Sequence, residues 1–437
     1  MRTKLFWFLT LWMGLSANLL AQPKLYLGPR KAQTTVPMAA PELAPLGTLI
    51  EYERITRKAV PALLAQASPR AYAELTQQPQ LSTVMGEQLQ YPVTYYRVVY
   101  QTEDQGQPLK ASGLVIIPEG KGAMPLLGYL HGTILPSLKA TAPSRYGALE
   151  MDLPLLGNFE VNMIGSVMAS HGYVVAMPDY PGYGASEGHP IRYTYTPTLA
   201  RVSRDMLRAT RQLCRALGAA LTEELYLTGY SEGGGAAMAL HQLLEADPDQ
   251  EFTVTAQSSM SGFYHYSRMC AEFAHSEAVQ PAAPIYLWSA WVLNENHPGL
   301  QRPQASLFRH FYRETPEHFM LKAPWLSLRR KTSANLLNRD FHRALREQSD
   351  STWLMAAQIN DHYDWQARAP IFLHHGEQDH ILPIFHSQDA YTHMQARGSA
   401  VTLYAYPAAD HFSLIDEYVR QTLEDFDAIR PAGNFEF

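Results

Sequence analysis

The sequence predicts an α/β protein with a mostly parallel sheet flanked by helices and a helical insertion between two of its strands. Short apolar segments alternate along the chain with segments whose apolar residues recur at helical spacing, which is typical of βαβ units. The alternation stops between residues 262 and 368, where helical patterns contain five of the seven tryptophans. An insertion of this kind indicates a cap or lid over the sheet.

The elements of this fold can be placed in chain order. Two strand-like segments at residues 92–102 and 109–117, joined by the turn sequence DQGQP, predict an antiparallel hairpin at one edge of the sheet. Short apolar segments predict the remaining strands, which cover residues 125–130, 173–177, 225–230, 252–257, 370–375 and 401–406. Helical spacing predicts helices over residues 49–60, 158–171, 197–217 and 231–246. Thr48 is a candidate N-cap of the first helix.

The N-terminus has the pattern of an export signal. Arg2 and Lys4 precede the mostly apolar residues 5–20, and Ala21 provides a small residue before the expected cleavage point. The alternative is an uncleaved membrane anchor, but the apolar segment is short for a span and no basic stop-transfer sequence follows it. We therefore expect an exported protein, secreted or periplasmic, from which the signal peptide of residues 1–21 is removed.

The rest of the chain divides into three expected parts. Residues 22–90, rich in Pro, Ala and Gln, predict an N-terminal extension. Residues 91–261 and 369–437 together predict the α/β core, and residues 262–368 predict the helical cap. No later segment reaches 18 uninterrupted apolar residues, so no stable membrane span is expected once the signal peptide is removed.

The composition excludes several classes of protein. Charged residues make up 17% of the chain and the formal net charge is −6, so no basic face for binding nucleic acid is expected. Two cysteines are too few for a disulfide scaffold or a four-cysteine zinc site. Cys214 and Cys270 could pair in an exported protein or could both be partly buried thiols, and the sequence leaves both open. The oligomeric state is not indicated either.

A candidate nucleophile lies in residues 229–233, Gly-Tyr-Ser-Glu-Gly, directly between a predicted strand and a predicted helix. A G-x-S-x-G sequence in this context is typical of a sharp turn that exposes a serine hydroxyl. Gly229 and Gly233 are expected where strand and helix approach too closely for a Cβ atom. The sequence therefore predicts Ser231 as a nucleophile at a helix N-terminus, where N–H groups face developing negative charge.

The serine needs a general base, and the base needs an orienting acid. Asp379 and His411 each follow one of the last two predicted strands. Because the C-terminal ends of parallel strands meet at one edge of a sheet, we expect Ser231, Asp379 and His411 to converge. Glu377 is the alternative acid, and Asp379 is favoured because it lies just before an apolar Ile-Leu-Pro segment.

A cluster of potential ligands around the predicted acid raises the alternative of a metal site. It consists of His374, His375, Glu377, Asp379 and His380. Neighbouring residues at a strand end point to opposite faces of the sheet, so these side chains cannot all reach one ion. The sequence therefore predicts no catalytic metal and no cofactor.

Stabilising an oxyanion requires two N–H donors. The backbone N–H of Glu232, the residue after the nucleophile, is the first expected donor. The loop His131-Gly132-Thr133 after the strand at residues 125–130 offers the second, with Thr133 favoured and Gly132 as the alternative.

Together these motifs resemble the α/β-hydrolase superfamily and, more narrowly, secreted lipases and esterases of the secretory-lipase type. The resemblance covers residues 93–261 and 369–430, and the cap is similar in length and position only. It rests on Leu-His-Gly-Thr at 130–133, Pro-Asp-Tyr-Pro-Gly-Tyr-Gly at 178–184, the pentapeptide at 229–233, Asp379 and His411. It implies a structural role for Asp179. Glu232 departs from the pattern, because a carboxylate beside the oxyanion would be unfavourable unless it points away or is paired.

The sequence therefore predicts a serine hydrolase that cleaves carboxylic esters of small molecules or lipids through an acyl-enzyme. Aromatic residues in the cap favour a lipophilic substrate, although they could equally form the core of the cap itself. The alternative is a serine peptidase, for instance an aminopeptidase, in which Glu232, Glu272 or Glu277 would bind a substrate amine. A binding protein on an inactive scaffold is a third class, which the intact Ser, Asp and His disfavour.

Overall fold

A computed structural model describes residues 44–55, 92–120, 122–147, 159–309 and 331–430. The predicted signal peptide, and the cleavage point after it, lie outside these residues. Most of the predicted N-terminal extension lies outside them as well.

In the described part of the chain, nine strands form one sheet in the order β1-β2-β3-β5-β4-β6-β7-β8-β9. The three pairings at the β1 edge are antiparallel and all the others are parallel. The strands are β1 (Leu49–Ile55), β2 (Val93–Asp104), β3 (Gln107–Pro118), β4 (Met124–Leu130), β5 (Val174–Pro178), β6 (Leu221–Tyr230), β7 (Val254–Met260), β8 (Ile371–Gly376) and β9 (Val401–Tyr406).

The described helices alternate with the parallel strands and then accumulate between β7 and β8. They are α1 (Ser166–Ser170), α2 (Thr196–Leu217), α3 (Glu232–Glu245), α4 (Tyr266–His275), α5 (Ala283–Asn296), α6 (Gln304–Leu307), α7 (Ser333–Leu336), α8 (Arg339–Glu347), α9 (Ser351–Gln358), α10 (Phe385–Ala396) and α11 (Ile415–Ile429). A π-helical turn (Val161–Gly165) directly precedes α1.

Helices cover both faces of the sheet, which confirms the predicted α/β fold class. On one face, α2 and α3 bury Leu199 and Leu240 against the strands. On the other face, α11 buries Tyr418 and Phe426 in a second cluster that contains Leu127 of β4. Every residue of β4 is buried, as expected for a parallel strand covered on both sides.

The segment at residues 49–55 is a strand, so the helix predicted over residues 49–60 is wrong there. β1 pairs antiparallel with β2, and the Tyr52 ring packs edge-on against Tyr96 at a centroid distance of 6.3 Å. The backbone N–H of Leu49 donates to the side chain of Gln212 on α2. The apolar residues of this segment fit a two-residue period as well as a helical one. Pairing with the exposed edge of β2 satisfies the backbone groups of the segment.

The helices α4 to α9 lie between β7 and β8, inside the range 262–368 expected for the cap. Part of the aromatic content of this segment forms its own core. Trp353 of α9 packs edge-on against Phe341 of α8 at a centroid distance of 4.6 Å, and both side chains are buried.

The two cysteines are free thiols, which settles the alternative that the sequence left open. Cys214 lies on α2 and Cys270 on α4. Burial raises the pKa of each thiol to about 12, so both are protonated and poorly reactive at neutral pH. Among the described residues, no helix combines the length and the apolar character needed to cross a membrane.

Candidate active site

Ser231 occupies a sharp turn between β6 and α3. Its φ of +57° lies in the left-handed region that residues other than glycine rarely adopt, and such strain is typical of functional turns. The backbone N–H of Ser231 donates to the carbonyl of Met260 on the neighbouring strand β7, at 2.9 Å. The side chain of the serine is therefore held at the C-terminal edge of the sheet, at the N-terminus of α3.

The glycines on either side of the serine allow strand and helix to approach. A Cβ atom at Gly229 would lie 2.2 Å from the carbonyl oxygen of Gly233. A Cβ atom at Gly233 would lie 1.8 Å from the carbonyl oxygen of Leu130 at the end of β4. Both distances are far below van der Waals contact, and the opposing atoms belong to backbone that cannot turn aside.

We expect Gly233→Ala to destabilise the protein by at least about 3 kcal/mol, because the new methyl group must displace the backbone of β4. Gly128→Ala is the matched control on β4 itself. Its Cβ would meet only side-chain atoms of Leu227 and Leu207, at 3.2 and 3.4 Å. Urea unfolding followed by circular dichroism measures both variants. A stable Gly233→Ala variant with normal activity would contradict the proposed close approach.

The three residues singled out as nucleophile, base and acid lie in one hydrogen-bonded chain. His411 Nε2 lies 2.9 Å from Ser231 Oγ, and His411 Nδ1 lies 2.6 Å from Asp379 Oδ2. The side chains come from the ends of β6, β8 and β9, which meet at the same edge of the sheet. Asp379 Oδ1 accepts the backbone N–H groups of Ile381 and Leu382, which orients the carboxyl group.

The surroundings of Asp379 keep it ionised. Burial by itself would raise the pKa of this carboxyl group, but the electrostatic attraction of the His411 ring and hydrogen bonds with His375 and His411 outweigh it. The pKa of Asp379 is therefore well below its usual range. An ionised aspartate can hold the His411 proton on Nδ1, which leaves Nε2 free to accept the serine proton.

A second histidine, His375, also lies beside Asp379, and its role could not be assigned from the sequence. Its Nε2 lies 2.7 Å from the carbonyl oxygen of Leu382 and 3.5 Å from Asp379 Oδ2, and its Nδ1 lies 2.7 Å from Ser387 Oγ. These contacts place His375 behind the acid, supporting its loop. His374 faces the other side of the strand, where its Nδ1 lies 3.0 Å from the Tyr406 hydroxyl.

The carboxyl groups of Glu377, the alternative acid, and of Asp410, which precedes His411 in the chain, make other contacts or none among the described residues. Glu377 is exposed, and Asp410 accepts the backbone N–H groups of Phe412 and Ser413 in a local turn. No group of three or more potential metal ligands comes together anywhere in the described segments.

The loop expected to supply the second oxyanion donor approaches the nucleophile closely. A Cβ atom at Gly132 would lie 3.1 Å from Tyr230 of the strand that carries Ser231. The N–H of Gly132 donates to the Glu160 carboxyl group at 2.9 Å. This bond occupies the N–H of Gly132, which disfavours Gly132 as the second donor and leaves the Thr133 N–H as the candidate donor from this loop.

The Glu232 side chain is bound away from the nucleophile. Its carboxyl group accepts the backbone N–H of Thr194 at 3.0 Å, and the residue is 4% exposed. Burial raises the pKa of Glu232 to about 8, so the group is mostly neutral at neutral pH. The unfavourable negative charge that the sequence suggested beside the oxyanion is thus largely absent.

We expect the free energy of unfolding to fall as pH rises, because the folded protein favours the neutral form of Glu232. A carboxyl group with a raised pKa binds more protons in the folded state, so its contribution is full below pH 4.5 and is lost as pH rises through about 8. The free energy of unfolding that is lost when Glu232 ionises is on the order of a few kcal/mol. Glu232→Gln keeps an oxygen for the Thr194 N–H and cannot ionise.

Urea unfolding of the wild type and of Glu232→Gln between pH 5 and pH 9 isolates this effect, since all other titrating groups are common to both proteins. The variant should gain stability relative to the wild type as pH rises. A difference that stays constant over this range would contradict a raised pKa for Glu232.

The helix α5 of the insertion lies against both sides of the candidate site. The Tyr286 hydroxyl donates to the carbonyl of Ile381, next to the loop of Asp379, at 2.6 Å. Trp288 stacks on Tyr193 at 4.0 Å between ring centroids, and the Tyr193 hydroxyl lies 3.1 Å from Thr133 Oγ1. Ser231 and His411 are almost fully buried.

An apolar cavity lies inside the insertion, between α4, α5 and the helices α7 to α9. Its walls include Tyr266, Phe273, Tyr286, Phe341 and Trp353. Tyr286 belongs to this wall and also contacts the acid loop through its hydroxyl group, so one side chain links the cavity wall to the loop of Asp379.

Asp179 has a structural position, as the resemblance implied. Its carboxyl group accepts the Ser112 hydroxyl at 2.6 Å and the backbone N–H of Ser144 at 3.0 Å. It holds the loop after β5 against β3.

The fold, the strained serine at a strand-to-helix turn and the adjacent His define an α/β hydrolase of the serine-hydrolase type. The chain belongs to the family described as "Serine aminopeptidase, S33", whose model matches residues 160–417. Family membership confirms the α/β-hydrolase resemblance noted from the sequence. A comparison with curated proteins found no match.

Solved structures with the same fold include esterases and lipases. The rice cell wall degrading esterase LipA from Xanthomonas oryzae is 23% identical, with a TM-score of 0.71 over 89% of this chain and 100% of that chain. Candida antarctica lipase A is 17% identical, with a TM-score of 0.62 over 89% of this chain and 84% of that chain. At these identities the likeness shows the shared fold.

Proposed function

We propose that the protein is an exported serine hydrolase that cleaves carboxylic esters, with Ser231 as nucleophile, His411 as general base and Asp379 as orienting acid. The observation that carries the proposal is the hydrogen-bonded chain from Asp379 through His411 to Ser231 Oγ. It supplies the base and the orienting acid that a serine hydroxyl needs to act as a nucleophile at neutral pH.

The reaction follows from this geometry. His411 Nε2 takes the proton of Ser231 as Oγ attacks the ester carbonyl carbon. The backbone N–H groups of Glu232 and Thr133 stabilise the oxyanion that forms. His411 then protonates the leaving alcohol, and the acyl group stays on Ser231. Water activated by His411 then attacks the carbonyl carbon of the acyl-enzyme. The tetrahedral intermediate that forms collapses, which releases the acid and restores Ser231.

A lipophilic ester is the substrate class that the surroundings favour. The insertion contacts the acid loop through Tyr286 and contains a small cavity lined by apolar and aromatic side chains, the kind of side chain that lines sites for apolar groups. We propose that an acyl or aryl group of the substrate contacts this part of the insertion.

Peptide cleavage is the second candidate, favoured by the family description. An aminopeptidase needs an acidic group that is free to bind the substrate amine. Glu232 is bound to Thr194 and mostly neutral at pH 7, and Glu272 lies 3.4 Å from Arg268. Glu277 is exposed. The contacts of Glu232 and Glu272, which leave neither carboxyl group free for a substrate amine, support the ester assignment over the peptide assignment.

Turnover of a p-nitrophenyl ester series from acetate to palmitate, compared with aminoacyl p-nitroanilides, tests the substrate class. We expect kcat/KM to be higher for the esters and to increase from the two-carbon to the medium-chain acyl groups. Efficient cleavage of the anilides with little turnover of the esters would overturn the ester assignment in favour of the peptidase.

Export is proposed from the basic and then apolar N-terminal sequence, which has the layout of a cleaved signal. N-terminal sequencing of the protein recovered from outside the cytoplasm should begin at Gln22. Recovery of the intact N-terminus in the membrane fraction would support the anchor instead.

A further inference from the structure

We propose that Glu160 is a positioning residue of the oxyanion hole, which aligns the Thr133 N–H by holding the preceding residue, Gly132. The proposal rests on the serine-hydrolase function proposed above. It assigns a role to a carboxyl group that neither the sequence motifs nor the Ser-His-Asp chemistry uses.

The Glu160 carboxyl group joins the end of a rigid strand to the oxyanion loop. Its Oε2 accepts the hydroxyl of Tyr129 at 2.5 Å and the backbone N–H of Gly132 at 2.9 Å. Tyr129 is fully buried in β4 and cannot move aside. Glu160 as a residue is partly exposed, but its carboxyl group is enclosed between these two partners, and this burial raises its pKa to about 7.

Both backbone polar groups of Gly132 are held. Glu160 holds the N–H, and the carbonyl oxygen lies 2.7 Å from His131 Nδ1. Burial lowers the pKa of His131 to about 4, so the ring is neutral and the proton on Nδ1 donates to this carbonyl. In a trans peptide the C=O and the following N–H point in opposite directions. The bond to the Gly132 carbonyl therefore sets the direction of the Thr133 N–H, and the bond from the Gly132 N–H to Glu160 fixes the peptide before it.

The loop is also confined between Glu160 and the nucleophile strand. The Cβ position of Gly132 lies 3.1 Å from Glu160 Oε1 and 3.1 Å from Tyr230, the residue before Ser231. With Glu160 shortened, the loop gains room to move away from Ser231. A shift of this kind costs catalysis because the donors must meet the oxyanion at hydrogen-bond distance.

The chain around Glu160 is shaped to present this side chain. The π-helical turn over Val161–Gly165 follows it directly, and the Ser166 hydroxyl donates to the Val161 carbonyl at 2.7 Å. Gly165 permits the turn to lie against the sheet, since a Cβ there would meet the Met177 sulfur at 2.7 Å. π-Helical turns are rare and are frequently found at functional sites.

The test compares Glu160→Asp, which withdraws the carboxyl group, with Glu160→Gln, which keeps an acceptor oxygen at full length. Active sites are counted by fluorophosphonate titration to completion. For Glu160→Asp we expect kcat per site to fall about 10- to 100-fold with KM within about threefold of the wild type. Affinity for a trifluoromethyl ketone, whose hemiketal oxygen occupies the oxyanion hole, should fall by a similar factor. Glu160→Gln should retain kcat within about threefold.

Tyr129→Phe removes the other partner of the same carboxyl oxygen and leaves the bond to Gly132. It should lower kcat by a smaller factor than Glu160→Asp does, because Glu160 can still hold the N–H of Gly132. Glu160→Asn, equally shortened and uncharged, is measured beside Glu160→Asp so that at least one folded short variant is available.

Three results would overturn the positioning role. These are normal kcat in the short variants, a loss in Glu160→Gln as large as in Glu160→Asp, or an equal loss in Tyr129→Phe. A wild type that neither hydrolyses esters nor reacts with fluorophosphonate would overturn the proposed function itself, so the two failures are distinguishable.

Discussion

Replacing Ser231 by alanine is expected to lower kcat for ester hydrolysis on the order of 10⁵- to 10⁶-fold while the protein stays folded. The substitution removes the atom that forms the acyl-enzyme, and no other hydroxyl lies at hydrogen-bond distance from His411 Nε2 in the described structure. The measurement is kcat for a p-nitrophenyl ester, with folding checked by circular dichroism.

Ser261 provides a matched control for this substitution. It also follows a parallel strand, has a φ of +48° and is fully buried, but its hydroxyl makes no hydrogen bond within the described residues. Ser261→Ala should leave kcat nearly unchanged. If Ser231→Ala retained more than about a thousandth of the activity of Ser261→Ala, Ser231 would not be the nucleophile.

Replacing Asp379 by asparagine is expected to lower kcat about 10⁴-fold. The asparagine oxygen can still accept the N–H groups of Ile381 and Leu382, so the loop keeps its shape. Its amide group no longer holds the His411 proton on Nδ1, and the ring can adopt the tautomer that cannot accept the serine proton. The ester assay used for Ser231→Ala measures the change.

Glu377→Gln is the control for the acid, since Glu377 is exposed two residues away and was the alternative candidate in the sequence. It should retain full activity. A large loss in Glu377→Gln together with a small loss in Asp379→Asn would reverse the assignment of the acid.

The sequence was sufficient to predict the parallel core because parallel strands are buried on both faces and appear as short apolar segments. In such a core, residues that directly follow parallel strands lie at the same edge of the sheet. Ser231, Asp379 and His411 could therefore be brought together from their order alone, and the structure places them in hydrogen-bond contact.

Other features depend on contacts that no local pattern contains. The segment at residues 49–55 fits both periods, and its strand conformation is decided by the open edge of β2. The Glu160 contact with Gly132 joins residues whose proximity follows only from how the π-helical turn packs against the sheet. The neutral state of Glu232 depends on its burial, which outweighs the hydrogen bond from Thr194, and the sequence places neither the burial nor Thr194.

The central claim is that Ser231 is activated by His411 to attack a carbonyl carbon, and covalent labelling tests it most directly. The wild-type protein is incubated with a fluorophosphonate at neutral pH, and the modified peptide is identified by mass spectrometry. We expect one adduct per chain, located on Ser231, and none in Ser231→Ala. The absence of an adduct in wild-type protein that hydrolyses esters, or an adduct on a different residue, would contradict the claim.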